Sequence, residues 1–147
     1  MPTDYLSILT SPVVLAAFRQ AWQDSQPRTS EPHEEGGFIV QDSAGNLTVA
    51  RWPKGEYNSI RVPPHQDCKM GDSDIVASFH THPNTGSNFL QEPGETDKRA
   101  VRDDPDLKGA TYGGEFVISQ ETIYLIMPTG QVRVAGSTAT VLAQPKE

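Results

Sequence analysis

The stretch Asp74-Ile75-Val76-Ala77-Ser78-Phe79-His80-Thr81-His82-Pro83 joins a mostly apolar run to two histidines that lie two positions apart. The run predicts a strand that is apolar enough to occupy the centre of a sheet. Side chains at i and i+2 of a strand point to the same face, so His80 and His82 can reach one ion at about 2.0–2.1 Å per Zn–N bond, while Thr81 points the other way. The stretch therefore predicts a metal site where a central strand ends.

A third potential ligand, Asp97, follows His82 by fifteen positions. It falls in a helix predicted over residues 95–103, whose acidic residues lie in the first turn and whose basic residues come later, as the helix dipole favours. Catalytic zinc sites usually have three protein ligands and one open position. The two histidines and Asp97 give that number, and Glu92 or Glu95 is an alternative to Asp97. The set favours metal-assisted hydrolysis.

A hydrolase of this kind also needs a general base close to the attacking water. Glu34 and Glu35 stand just before an apolar strand predicted over residues 37–41. Either could supply the base, but neighbouring residues of a strand face opposite sides of the sheet. We therefore expect only one of the two to face the metal ligands.

Composition limits the class of protein. The 147 residues are the size of one ordinary domain, and 12 Gly with 12 Pro indicate a turn-rich fold rather than a helical bundle. Twelve basic and 19 acidic residues give a net charge of −7, and most of the basic residues are scattered. Nucleic acid is therefore not an expected partner, because phosphate binding depends on clustered Lys and Arg.

The pattern of apolar residues predicts one α+β domain with a mixed or antiparallel sheet flanked by helices. An N-terminal helix is predicted over residues 11–26, with Ser11 as its N-cap, Pro12 in the first turn and an apolar stripe at i, i+3, i+4, i+7 and i+8. The predicted strands cover residues 37–41, 47–52, 60–62, 74–80, 115–119, 122–127 and 131–135.

The chain carries no visible sign of a membrane or of an oxidising compartment. Its one cysteine, Cys68, cannot form an internal disulfide, and no apolar run approaches the ~20 residues needed to span a bilayer. The N-terminus has an acidic residue, Asp4, and no basic residue before Arg19, unlike a signal peptide. We expect a cytoplasmic protein with no membrane association; export without a signal, or origin as a piece of a larger polypeptide, stays open.

The order of these motifs resembles the JAMM metalloproteases, the JAB/MPN domain family. Members carry a Glu three residues before a strand-opening Gly, then His-(Ser/Thr)-His-Pro, a loop and Ser-x-x-Asp. The matching segments here are Glu34-Glu35-Gly36-Gly37-Phe38-Ile39, His80-Thr81-His82-Pro83 and Gly94-Glu95-Thr96-Asp97. The resemblance covers about residues 30–135 and is nearest to bacterial JAB-like domains of uncertain substrate.

This resemblance implies a single JAB/MPN-like domain over residues 1–147 in which Glu34 is the general base and acid. It implies that His80, His82 and Asp97 hold Zn²⁺. The expected reaction is hydrolysis of a peptide or isopeptide bond, and the expected partner is a protein or peptide substrate, with ubiquitin-like proteins among the candidates. The sequence gives no indication of oligomeric state.

Two departures from the family pattern matter. The family serine, which helps to stabilise the tetrahedral intermediate, aligns with Gly94, and Ser87 or Thr96 could substitute for it. The loop before Asp97 is also longer than the usual family spacing. These departures leave two alternatives open, namely a JAB-fold binding module with weak or no catalysis and a hydrolase of non-peptide amide conjugates.

Five further residues have competing interpretations. His65 and Cys68 have the spacing of half a zinc site, but no partner pair is evident, so we interpret both as loop residues. His33 is expected to be a solvated loop residue. Trp52 and Tyr57 could line a substrate groove, although packing in the core or at a sheet edge is the default interpretation for both.

Overall fold

The computed structural model of the protein describes residues 4–84 and 91–143. In chain order these residues form α1 (Tyr5–Leu9), α2 (Pro12–Asp24), β1 (Gly36–Gln41), β2 (Leu47–Arg51), β3 (Lys69–Met70), β4 (Ser73–Thr81), α3 (Glu95–Arg102), a 3₁₀ helix (Pro105–Leu107), β5 (Glu115–Ile118), β6 (Thr122–Ile126), β7 (Val132–Ser137) and α4 (Thr138–Val141). Within this part of the chain, no helix has both the length and the apolar character needed to cross a bilayer.

The strands form one mixed sheet in the order β2-β1-β4-β5-β6-β7, and β3 pairs with β4 beside this path. Strands β4 and β5 are parallel, whereas the other neighbours are antiparallel. The parallel pair needs a crossover connection, and α3 lies in it. The predicted α+β class, with a mixed sheet flanked by helices, is confirmed.

Helices α1 and α2 cover one face of the sheet. Ser11 caps α2 by accepting a hydrogen bond from the backbone N–H of Val14 at 3.4 Å. The buried stripe of this helix packs on sheet residues such as Phe79 and Phe116, with the Phe18 and Phe79 rings 4.7 Å apart. The predicted helix is confirmed, although it ends at Asp24 and not at residue 26.

The opposite face of the sheet is covered by α3, the 3₁₀ helix and the long connection after β2. Val101 of α3, Leu107 and Trp52 pack there with Phe38 and Val117 of the sheet. Because two separate apolar clusters flank the sheet, its central strands are buried on both faces, as the apolar run of β4 predicted.

One predicted strand is wrong. Residues 60–62 pair with no strand in the described part of the chain. Ile60 and Val62 instead pack against the apolar cluster beneath α3, and the following Pro63-Pro64 cannot donate ladder hydrogen bonds. The short elements α1, β3 and α4 were not predicted, since two to five residues carry too little periodicity to be recognised.

Candidate metal centre

The end of β4 brings the two histidines beside the start of β1. In the sheet register His80 lies opposite Gly36, and Glu34 is two residues before that glycine. A Cβ on Gly36 would lie 2.6 Å from the Phe79 carbonyl oxygen and from a Trp52 ring carbon, so only glycine permits this close approach. Thr81 points to the other face, where its hydroxyl lies 2.6 Å from that of Ser25, as predicted.

Three candidate ligands converge at this point. Nε2 of His80 lies 3.2 Å from Nε2 of His82, and each of these atoms lies 3.3 Å from an oxygen of Asp97. A tetrahedral site with bonds of about 2.0–2.1 Å has edges of about 3.3–3.4 Å, so these separations fit the donor set of one metal ion. The three residues form a partly buried group that could hold a metal ion.

The second nitrogen of each histidine ring makes a hydrogen bond. Nδ1–H of His80 donates to Oε2 of Glu115 at 2.7 Å, and Nδ1–H of His82 donates to the carbonyl oxygen of Gln91 at 3.0 Å. In a neutral imidazole, a protonated Nδ1 leaves the Nε2 lone pair free for a metal. Both histidines are therefore oriented with a ligand atom toward the same point.

Asp97 is fixed by the first turn of α3. The backbone N–H of Gly94, the N-cap of this helix, donates to Oδ2 of Asp97 at 2.9 Å. Burial raises the pKa of Asp97, but hydrogen bonds from His80 and His82 lower it far below its usual value. Neither Glu92 nor Glu95 belongs to the converging group in the described part of the chain, so Asp97 is the acidic member of the set.

Neighbouring charges and burial shift the pKa of His80 in opposite directions. Burial alone would lower the pKa of its imidazole, but the charge of Glu115 and hydrogen bonds to Asp97 and Glu115 raise it well above the ordinary value. In the metal-free protein His80 is thus a proton-binding group at the centre of the site. Because metal and proton compete for the same nitrogen, metal affinity is expected to weaken as the pH falls.

Glu34 lines the same cavity as the three converging residues. Its side chain is buried and makes no hydrogen bond to any described residue, so the carboxyl is free to act on a bound molecule. Burial raises its pKa to about 7, although the neighbouring His80 and His82 lower it. A carboxyl with a pKa near the working pH can both accept and return a proton.

Glu35 faces away from the site. Its carboxylate accepts from Arg51 at 2.7 Å and lies 2.5 Å from Nε2 of His33. Glu34 and Glu35 therefore face opposite sides, as the sequence predicted. The expectation that His33 is solvated is wrong, because its side chain is buried against this carboxylate.

The raised pKa of Glu34 gives a prediction for stability. Since the folded pKa is about 7 and the ordinary value is 4.5, ionisation of Glu34 removes stability as the pH rises through this interval. Metal-free Glu34→Gln should therefore be more stable than wild type by about 3 kcal/mol at pH 8 but by less than about 1 kcal/mol at pH 5. Thermal unfolding should show a shift of about 6–12 °C at pH 8.

The neighbouring residue provides the matched control. Glu35→Gln removes the carboxylate that pairs with Arg51, so it should lower the melting temperature at both pH values. If Glu34→Gln changed the melting temperature equally at pH 5 and pH 8, Glu34 would not titrate between them.

Glu115 is the site residue that the sequence analysis missed. Besides His80, its carboxylate accepts a hydrogen bond from the Ser78 hydroxyl at 2.8 Å, and that hydroxyl lies 2.8 Å from the Tyr112 hydroxyl. All four side chains are buried. The available signal was an acidic residue at the first position of a strand that is otherwise apolar and buried, where a charge requires a partner.

A carboxylate behind a metal-binding histidine fixes its tautomer and raises its basicity. Glu115→Gln is therefore expected to weaken metal binding by about 10–100-fold, measured with added zinc by competition with a chromophoric chelator. Glu121→Gln, at an exposed glutamate in the turn before β6, is the control and should leave the affinity unchanged. Unchanged affinity in Glu115→Gln would restrict Glu115 to a packing role.

The other described candidate residues of the sequence analysis lie outside the metal group. His65 donates to Asp104 at 2.7 Å, and the thiol of Cys68 donates to the Ile75 carbonyl oxygen, so neither belongs to a described metal group. Trp52 is packed in the core and also lines the cavity, whereas Tyr57 is exposed. Thr96 lines the cavity beside Asp97, and Ser87 lies outside the described residues.

Comparison with known proteins gives no assignment for this chain. No model of a known protein family matches it. No curated protein matches it, and no solved structure matches it. The function is therefore argued from the chemistry of the site.

Proposed function

We propose that this protein is a zinc-dependent hydrolase of peptide or isopeptide bonds, related to the bacterial JAB-like branch of the JAMM metalloproteases. The observation that carries the proposal is the convergence of His80, His82 and Asp97, with mutual ligand distances of 3.2–3.3 Å, in one cavity with Glu34. The order of these four residues along the chain supports the JAMM relationship.

Zinc suits this donor set better than the other common divalent ions. Two imidazole nitrogens and one carboxylate oxygen are typical zinc ligands, whereas Mg²⁺ and Ca²⁺ favour oxygen-only sites. Three protein ligands leave one position for water or substrate, as in catalytic rather than structural zinc sites. Bound zinc would polarise the scissile carbonyl and acidify water.

Side chains of the protein would supply the proton transfers and stabilise the oxyanion. Glu34 accepts a proton from the attacking water as the water oxygen bonds to the carbonyl carbon. The same carboxyl then gives this proton to the leaving amine nitrogen as the C–N bond breaks, so its pKa of about 7 suits both directions. Thr96 lines the cavity, and its hydroxyl is the candidate hydrogen-bond donor to the developing oxyanion.

A binding module with little or no catalysis is the second candidate, and one observation favours it. Gly94 is the N-cap of α3 and has no hydroxyl to offer where the family serine would stand. Loss of one oxyanion donor can reduce the rate by about 10²–10³. Activity therefore depends on whether another donor compensates.

A substrate panel tests the proposal. Zinc-loaded protein is incubated with an unfolded protein, a ubiquitin-like isopeptide conjugate and small aryl amides, each with and without 1,10-phenanthroline. Turnover that phenanthroline abolishes and added zinc restores would support the hydrolase, and the reactive class would distinguish peptide from non-peptide amides. Bound zinc without turnover on any substrate favours the binding module. Failure to bind zinc would overturn the hydrolase and leave the binding module.

A further inference from the structure

The cavity above the metal centre has two walls of different origin. Its volume is about 560 Å³, and Glu34, His80 and Asp97 are among the residues that line it. One wall is the irregular segment of residues 58–62 after β2. The other is the first turns of α3, where Thr96, Asp97 and Ala100 share one helix face at i, i+1 and i+4.

The wall formed by residues 58–62 begins with two polar residues and continues with an apolar part. Ile60 and Val62 are half-buried and both line the cavity, while Arg61 between them is exposed and does not. This alternation directs two branched aliphatic side chains toward the cavity and the charge toward solvent. Trp52 extends the apolar wall from the sheet side, and Ala100 faces it from α3.

The cavity is lined by several carboxylates. Glu34, Asp97 and Glu115 line it, and no Lys or Arg does so among the described residues. A metal ion would offset part of this negative charge at the ligands. An anionic group on a bound molecule would find no Lys or Arg side chain on these walls to offset its desolvation.

We propose that the substrate carries a bulky, uncharged apolar group next to its scissile amide and that Ile60, Val62 and Ala100 receive this group. The inference rests on the proposed hydrolase function and specifies its substrate class. A substrate with only glycines beside the amide would leave the apolar wall without contacts, whereas an aromatic or aliphatic group would fill it. A substrate with a carboxylate or phosphate in the same place would bind less tightly.

Hydroxamates provide probes that do not require the natural substrate, because they bind an open zinc position and carry a variable side group. Binding of acetohydroxamate, benzohydroxamate and 4-carboxybenzohydroxamate to zinc-loaded protein is measured by calorimetry, with bound zinc checked by elemental analysis afterwards. Benzohydroxamate is expected to bind at least about tenfold more tightly than acetohydroxamate. The added carboxylate should remove most of that gain.

Two variants link these preferences to the wall. Val62→Thr keeps the shape of the side chain but adds a hydroxyl, so it should reduce the preference for benzohydroxamate about threefold or more without changing acetohydroxamate binding. Val134→Thr, at a valine of β7 that is 66% exposed, is the matched control and should change neither.

Ala100→Lys supplies the missing cation at an exposed helix position where lysine is well tolerated. It should shift the ratio of the two affinities, 4-carboxybenzohydroxamate over benzohydroxamate, about tenfold in favour of the carboxylate. Equal affinity for all three hydroxamates in wild type, or variants without effect, would overturn the substrate-class inference while leaving the hydrolase intact. If zinc binds but no hydroxamate does, the metal has no open position, and the proposed function fails together with the inference.

Discussion

Replacing Glu34 with glutamine is expected to lower turnover of any amide substrate by about 10²–10⁴-fold while leaving bound zinc unchanged. Glutamine has nearly the same shape but cannot accept a proton from water or return one to the leaving amine. Zinc should remain because Glu34 lies outside the converging group of His80, His82 and Asp97. The measurement is kcat/KM together with metal content for wild type and variant.

The stability of the same variant makes this result interpretable. Metal-free Glu34→Gln is expected to gain stability at pH 8, so a loss of turnover cannot be attributed to unfolding. Lower activity together with higher stability is typical of a residue that is retained for function at a cost in stability. If Glu34→Gln kept wild-type turnover, Glu34 would not be the base and the proposed mechanism would be wrong.

The periodic parts of this fold could be predicted from sequence because local rules decide them. The apolar run of β4, the stripe and N-cap of α2 and the β5–β7 meander all carry strong patterns, and each was found within a few residues. Ile60 and Val62 were misread because two branched residues that alternate with a charge satisfy the strand pattern equally well when they line a cavity.

The site could be predicted only as far as its motif extends. His80 and His82 share a face by strand geometry, and the helix dipole favours an acid at Asp97. Glu115 belongs to a different strand, and its contact with His80 exists only because β4 and β5 pair in parallel. The burial of His33 was not predicted, since its partner Glu35 is positioned beside the sheet and no local pattern requires the contact.

The second large effect concerns the metal itself. Protein purified without chelator is expected to contain one zinc per chain, and the double variant His80→Ala/His82→Ala is expected to contain none. Removing both imidazoles leaves a single carboxylate, and one ligand cannot hold zinc against water and buffer. Elemental analysis after gel filtration measures the ratio directly.

The choice of variants separates metal loss from damage to the fold. His80→Ala alone would leave the buried Glu115 carboxylate without its imidazole partner, a change that destabilises proteins by about 3–5 kcal/mol. His82→Ala leaves Glu115 paired, because Nδ1 of His82 bonds a backbone carbonyl and Asp97 keeps its contact with His80, so it should lose zinc with a smaller loss of metal-free stability than His80→Ala. His65→Ala, which also removes a histidine bonded to an acid, is the control and should retain one zinc per chain. Zinc retained by the double variant would locate the metal elsewhere, and a hydrolase centred on these residues would then be excluded.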